Sequence, residues 1–179
     1  MPDNENTKQI KSRQRVADHG EVFTNPREVN AMLDLVRDES FRLDSRFLEP
    51  ACGDGNFLIE ILRRKLSLLQ DIKSPTDWEF QSLIAVGSCY GIDILPDNAE
   101  ACRERLFAEV IGRVSKKDTT SGYEESLRHM LRKNIVCGDA LTYRTAEISR
   151  HTLYWTKQTK GKHSVSIVFR DVKDNLRHD

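Results

Sequence analysis

Short apolar runs alternate along this chain with longer stretches in which apolar residues recur every three or four positions. Three of the short runs end in an acidic residue: Glu49, Asp93 and Asp139. Short apolar runs bounded by turn residues are typical of buried strands, whereas the three- and four-residue spacing indicates helices. The alternation of the two patterns predicts an α/β fold.

The longer stretches predict the following helices: about 26–38, 56–70, 96–114 and 124–131. Between and around them we expect less regular segments: a polar segment over 73–82, a polar linker over 115–121 and a disordered or loosely helical stretch over 1–18. Alternating residues from Ser164 to Phe169 predict one more strand near the end of the chain.

The first of these helices has clear start signals. Thr24 or Asn25 can cap it, and Pro26 suits its first turn. Four apolar residues fall on one face at helical spacing: Val29, Met32, Leu33 and Val36.

The first strand is followed by a glycine turn that carries candidate chemistry. Gly53 and Gly55 flank a single residue, so the backbone can turn sharply and bring bare N–H groups close to a ligand. Glu49 stands at the carboxyl end of the strand, where open α/β sheets bind ligands. A carboxylate there favours an ammonium group over a pyrophosphate. Leu58 occupies the third position of the dinucleotide pattern G-x-G-x-x-G, so that pattern fails, and a tight turn without a ligand remains the simpler alternative.

The segment Glu-Pro-Ala-Cys-Gly-Asp-Gly-Asn-Phe, residues 49–57, resembles motif I of the amino-group DNA methyltransferases, in particular the adenine-N6 branch. The usual form begins with Asp and has Ser at the position of Asp54. The resemblance implies that S-adenosylmethionine is held by these motif residues: Glu49, Pro50, Ala51, Gly53 and Gly55. It also implies that Phe57 packs beside the cofactor.

Phe23-Thr24-Asn25-Pro26 is similar to motif X of the same family, a Phe-Thr-Pro turn that covers the methionine end of the cofactor. Here Asn25 is inserted between Thr24 and the proline. The segment precedes motif I, as it does in this branch. The resemblance implies that Phe23 and Thr24 contact the cofactor.

The other two strand ends resemble motifs II and III of the same family. Asp93, followed by Ile94, is expected to accept hydrogen bonds from the ribose diol, and Asp139, followed by Ala140, from the adenine amino group. A turn or capping role for Asp93 at the start of the next helix is the alternative, and Asp97 could cap that helix instead.

The composition of the chain limits the classes of protein to which it could belong. The chain has 179 residues, of which 38% are hydrophobic and 31% charged, and it has as many basic as acidic residues, 28 of each. No run approaches the roughly 18 apolar residues of a membrane helix. The polar, acidic start does not resemble a secretory signal. The four cysteines are isolated, so we expect neither a metal site nor disulfides but a reducing cytoplasm.

The family pattern stops after Leu141. The catalytic Asn-Pro-Pro-Tyr or Asp-Pro-Pro-Tyr motif, which grips a flipped base, has no match because the sequence contains no Pro-Pro pair. We therefore name no catalytic residue. From residue 144 onward 8 Lys or Arg stand against 4 Asp or Glu, a basic bias that suits nucleic acid but is more often a solvated tail. Tyr143, Tyr154 and Trp155 are the aromatic residues of this region.

The resemblance thus implies an incomplete Rossmann-like, class I S-adenosylmethionine-dependent methyltransferase fold. The expected organisation is a polar segment over 1–18, the S-adenosylmethionine-binding domain over 19–143 and a basic tail over 144–179. The expected function is that of a DNA adenine-N6 methyltransferase of restriction–modification type or of its cofactor-binding part, with DNA as partner. Alternatives are a split or non-catalytic subunit that needs a partner chain, a truncated remnant, or a methyltransferase for RNA or protein.

Overall fold

The computed structural model describes residues 11–19, 21–114 and 119–141, together with the short strand segments 144–145, 151–152 and 170–171. Contacts between residues divide the chain into two units, Met1–Ala146 and Glu147–Asp179. The helices of the first unit are α1 (Arg13–His19), α2 (Pro26–Asp34), α3 (Arg37–Ser40), α4 (Asn56–Ser67), α5 (Pro75–Gly87), α6 (Pro96–Ile111) and α7 (Tyr123–Asn134). Its strands are β1 (Phe47–Glu49), β2 (Cys89–Asp93), β3 (Ile135–Asp139) and β4 (Arg144–Thr145).

A small sheet organises the first unit, which is a mixed α/β structure made mostly of helices. Its strand order is β1-β2-β3-β4, in which β1, β2 and β3 are parallel and β4 runs antiparallel to β3. Parallel neighbours need crossover connections, and α4 with α5 and α6 with α7 supply them. The carboxyl ends of the three parallel strands therefore meet at one edge of the sheet. In the second unit β5 (His151–Thr152) pairs antiparallel with β6 (Arg170–Asp171).

Helices α4 and α6 pack on β2 and close the core. Leu58, Leu62 and Leu106 are completely buried. Gly91 of β2 allows the close approach of α4, since a Cβ atom at this position would lie 2.9 Å from Leu58 Cδ1. Cys52, Cys89 and Cys102 are buried in this core, whereas Cys137 is partly exposed.

The segment 73–82 is not an irregular polar connection, as its composition suggested, because α5 runs through it. Ser74 caps this helix by accepting a hydrogen bond from the N–H of Asp77 at 3.3 Å. Two of the polar residues in this segment, Glu79 and Ser82, are buried. Glu79 accepts the N–H of Thr120 at 2.8 Å, and the Ser82 hydroxyl lies 2.6 Å from that of Tyr123. These buried polar residues interrupt the apolar stripe by which an amphipathic helix is recognised, and tertiary hydrogen bonds satisfy them.

The helix predicted over 26–38 ends earlier, at Asp34, and the short helix α3 follows it. Val29 and Leu33 are buried, but Met32 and Val36, predicted on the same face, are exposed. Buried Arg64 of α4 holds this region, because its guanidinium donates to the carbonyl oxygen of Asn30 at 3.1 Å.

The remaining boundaries move by a few residues. The helices predicted over 56–70, 96–114 and 124–131 span 56–67, 96–111 and 123–134, and α1 occupies part of the N-terminal segment. In the part of the chain that the structure describes, no helix is both long and apolar enough to span a membrane. The strand predicted at 164–169, the aromatic residues Tyr143, Tyr154 and Trp155, and most of the basic tail lie outside the described residues.

Candidate ligand-binding cleft

A cleft of about 460 Å³ opens at the carboxyl ends of β1, β2 and β3. Its size falls within the range of small-molecule sites. Its walls come from the segment before α2, the glycine turn, the start of α6 and the end of β3: Glu21, Val22, Phe23, Thr24, Pro50, Ala51, Cys52, Gly53, Asn56, Phe57, Asp93, Ile94, Leu95, Asn98, Gly138, Asp139, Ala140 and Leu141. All the residues predicted from motifs line it except Glu49 and Gly55.

The glycine turn forms the floor of the cleft. Gly53 and Gly55 have φ values of 53° and 96°, in the left-handed region that favours glycine. A Cβ atom at Gly53 would lie 3.0 Å from Cε1 of the Phe23 ring, so the turn and the segment before α2 are in close contact. Gly55 begins α4 and faces away from the cleft, since a Cβ atom there would lie 2.7 Å from Cys102 Sγ on α6.

Asp93 ties the glycine turn to the next strand and helix. One carboxylate oxygen accepts the N–H of Gly53 at 2.8 Å, and the other accepts the N–H of Leu95 at 2.9 Å. The side chain of Asn98 also donates to Asp93, at 3.2 Å. Asp93 is only 8% exposed. It therefore has the turn role that was its alternative. Its Oδ1 atom accepts two hydrogen bonds, whereas Oδ2 accepts one and keeps a lone pair for a ligand.

Asp97 does not cap α6, because Leu95 occupies the cap position. The carboxylate of Asp97 instead pairs with Arg15 Nη1 at 2.9 Å and with Lys11 Nζ at 3.3 Å. Its charge is thus used to dock the N-terminal segment on α6.

The end of β3 forms the third side of the cleft. Asp139 Oδ1 accepts the N–H of Leu141 at 2.8 Å, which fixes the turn after the strand. Ala140 and Leu141 continue the wall, and Leu141 is 91% exposed. Asp93 and Asp139 are thus set in a largely apolar cleft, an arrangement suited to a polar ligand with apolar parts.

The segment before α2 covers the glycine turn. The carbonyl oxygen of Thr24 accepts the side-chain N–H of Asn56 at 3.1 Å. The extra residue Asn25 is the N-cap of α2 and accepts the N–H of Arg27 at 2.8 Å, with Pro26 in the first turn. The insertion therefore serves to start the helix.

Glu49 lies outside the cleft. It is half-buried at the end of β1, and its carboxylate accepts the backbone N–H of Ala51. Burial raises the pKa of Glu49 above its ordinary value, while this hydrogen bond opposes the shift. In this geometry Glu49 supports the turn and does not touch the open volume.

Glu21 and Asn98 are polar residues of the cleft that lie outside the predicted motifs. Buried Glu21 accepts hydrogen bonds from Arg15 Nε at 2.6 Å and from the Asn98 amide at 2.7 Å. The Arg15 guanidinium holds the pKa of Glu21 below its usual range. The sequence did not indicate this pairing, because Arg15 lies in the stretch expected to be disordered or loosely helical.

The turn is also held from α6. Arg105 Nη1 donates to the carbonyl oxygen of Asp54 at 2.8 Å and lies 2.7 Å from Asp54 Oδ1. The second contact is an ion pair whose angle does not suit a hydrogen bond, so Asp54 Oδ1 has no hydrogen-bond partner. Asp54, which replaces the Ser of the usual motif, therefore anchors the turn electrostatically.

Comparison of the chain with protein-family models, with curated proteins and with solved structures finds no match. Over residues 11–19, 21–114 and 119–141, no cluster of three or more His, Cys, Asp or Glu side chains has an arrangement that could hold a metal ion.

Proposed function

We propose that the cleft binds S-adenosylmethionine and that the chain is the cofactor-binding part of a DNA adenine-N6 methyltransferase with a Rossmann-like fold. One observation carries the proposal. A glycine turn after β1 and the acids that end β2 and β3 converge on one cleft of about 460 Å³ at the carboxyl edge of a parallel sheet. This edge is where open α/β sheets bind nucleotide-like ligands.

In the proposed complex Asp93 accepts hydrogen bonds from the ribose diol and Asp139 from the adenine amino group. Phe23 and Phe57 pack against the cofactor, and the backbone at Gly53 lies beside its methionine part. Asp93 already uses one lone pair of each oxygen on the backbone, which leaves its orientation fixed before a ligand arrives. The position of Glu49 outside the cleft makes its proposed contact with the methionine ammonium the weakest of the motif assignments.

The proposed reaction is a direct displacement. The adenine N6 atom forms a bond to the methyl carbon as the sulfonium–carbon bond breaks, and the amino group then loses a proton. The contribution of this chain is to hold and orient the donor. The grip on the flipped base must come from a partner chain or partner segment that carries the missing Pro-Pro-aromatic motif.

Calorimetric titration of the folded chain with S-adenosylmethionine and with S-adenosylhomocysteine tests the proposal. We expect micromolar-to-millimolar affinity, on the order of −4 to −8 kcal/mol. Asp139→Ala should weaken binding, whereas Asp71→Ala, which removes an exposed carboxylate outside the cleft, should not. Absence of heat and of a thermal shift at saturating ligand would remove the basis of the proposal.

A second experiment tests the proposed methyl acceptor, DNA. Transfer of labelled methyl groups to mixed-sequence duplex DNA should be undetectable with the chain alone and should appear when a partner that supplies the base-binding motif is added. Robust transfer by the chain alone would contradict the assignment of this chain as the donor-binding part only.

A further inference from the structure

Arg15 of α1 joins three elements beside the cleft. Its guanidinium donates to Glu21 through Nε at 2.6 Å and through Nη2 at 2.7 Å, so the contact is bidentate. The same guanidinium reaches Asp97 at 2.9 Å and the side-chain oxygen of Asn98 at 3.2 Å. Bidentate guanidinium–carboxylate pairs fix geometry as well as charge.

These contacts continue into the cleft. The Asn98 side chain takes the Arg15 hydrogen bond on its oxygen and donates its amide group to Glu21 at 2.7 Å and to Asp93 at 3.2 Å. Asp93 in turn accepts the N–H of Gly53. A continuous chain of hydrogen bonds therefore runs from α1 to the floor of the cleft, and four of its members line the cleft: Glu21, Asn98, Asp93 and Gly53.

The charges explain why a cation is needed at this point. Glu21 and Asp93 are both buried carboxylates, and they share the amide group of Asn98. Two anions so close to one another repel unless one of them is paired. Arg15 pairs with Glu21, which leaves Asp93 as the anion directed to the ligand. Lys11 reinforces the docking, since its Nζ lies 2.5 Å from Asn98 Oδ1 and 5.7 Å from the centre of the Phe23 ring.

We propose that Arg15 is a positioning residue of the cleft and that α1 is a strap whose docking sets the ligand affinity. Arg15 acts through Glu21 and Asn98, which orient Asp93 and the glycine turn. The choice of ligand rests on the proposed function, but the effect on the geometry of the cleft does not.

The binding test compares two arginines of one helix. Arg13 is exposed and makes no ion pair within the described residues, so Arg13→Ala is the matched control for Arg15→Ala. With S-adenosylhomocysteine as the probe, Arg15→Ala should raise the Kd about tenfold and Arg13→Ala less than about twofold. Arg15→Lys should fall between them, because an ammonium group cannot replace a bidentate guanidinium.

A rescue experiment separates positioning from loss of packing. If the damage in Arg15→Ala comes from the unpaired charge of Glu21, adding Glu21→Gln should recover most of the lost affinity. A merely structural role of Arg15 predicts no recovery. If Arg15→Ala does not fold, Arg15→Lys against Arg13→Lys carries the same comparison.

Amide hydrogen exchange without ligand makes the test independent of the proposed function. The N–H groups of Gly53 and Leu95, which bond to Asp93, should exchange faster in Arg15→Ala than in Arg13→Ala. If the wild-type chain does not bind the probe, the proposed function fails and this measurement alone decides the inference. Equal exchange and equal affinity in the two variants would overturn it.

Discussion

The two ends of the parallel strands use polar groups in opposite ways. At the amino ends, the Nζ atom of Lys65 lies among neutral acceptors: the carbonyl oxygens of Leu43 at 3.2 Å and Ser45 at 2.5 Å, and the hydroxyl of Ser88. Ser45 and Ser88 stand just before β1 and β2, and Lys65 is completely buried. Three acceptors satisfy the three donors of the ammonium group.

At the carboxyl ends, Asp93 and Asp139 also bind backbone N–H groups, but they border an open cleft. Remaining hydrogen-bonding capacity therefore separates structural from functional polar groups in this chain. A polar group whose bonding capacity is used up inside the core supports the fold. A fixed polar group with capacity to spare beside a cavity is a candidate to bind a ligand.

The largest effect should follow from a substitution at the amino ends of the strands, which we call the closed end because Lys65 is completely buried there. Lys65→Met leaves the buried carbonyl oxygen of Ser45 without its donor and removes one donor from the carbonyl oxygen of Leu43 and from the hydroxyl of Ser88. We therefore expect a loss of about 2–4 kcal/mol in the free energy of unfolding. Denaturant unfolding measures it, with the exposed Lys73→Met as control. An unchanged stability would show that the closed end contributes nothing measurable.

Asp93→Ala should affect both the stability of the chain and its affinity for the ligand. It removes the acceptor for the N–H groups of Gly53 and Leu95, and we expect it to lower both the free energy of unfolding and the free energy of S-adenosylhomocysteine binding by about 1–3 kcal/mol. Asp97→Ala should cost less than about 1 kcal/mol in either, because that carboxylate is half exposed. Equal effects of the two substitutions on binding would assign Asp93 to the turn alone.

Two glycine substitutions separate the effect of backbone strain on stability from the effect of an altered cleft on ligand affinity. Gly53→Ala and Gly122→Ala both place a Cβ at a positive φ, at a cost of about 1 kcal/mol or more. Only at Gly53 does the new atom press on Phe23, whereas nothing lies within 4 Å at Gly122. Both variants should lose stability, and only Gly53→Ala should lose affinity in the same titration. Loss of affinity in both would point to general destabilisation.

A smaller effect concerns pH at the closed end. Burial lowers the pKa of Lys65 from its ordinary value of 10.5, so the unfolded chain binds this proton more tightly than the folded chain does. Stability contributed by Lys65 should therefore rise with pH, from the lowered pKa up to about 10.5. The difference in unfolding free energy between wild type and Lys65→Met should grow over that range. A difference that shrinks as the pH rises would show that the pKa of Lys65 is not lowered in the folded chain.

Much of this architecture could be predicted from local sequence patterns, whereas the rest depends on tertiary contacts. The three strand ends and the glycine turn were predictable because each lies within a few residues of sequence. Helix α5 was not, since Glu79 and Ser82 bond to residues about forty positions away. Within the cleft, Phe23, Gly53 and Asp93 followed from motifs, whereas the link from Arg15 to Asn98 spans a sequence separation of 83 and leaves no local pattern.

Amide chemical-shift mapping can test the proposal that the cleft at the carboxyl ends of the strands binds S-adenosylmethionine. Isotope-labelled chain is titrated with S-adenosylhomocysteine, and the shifts are compared between the two ends of the strands. We predict shifts concentrated at Gly53, Ile94 and Ala140, with little change at Ser45 and Ser88. A folded chain that shows no shifts at saturating ligand, or shifts only away from the cleft, would show that the cleft does not bind this cofactor.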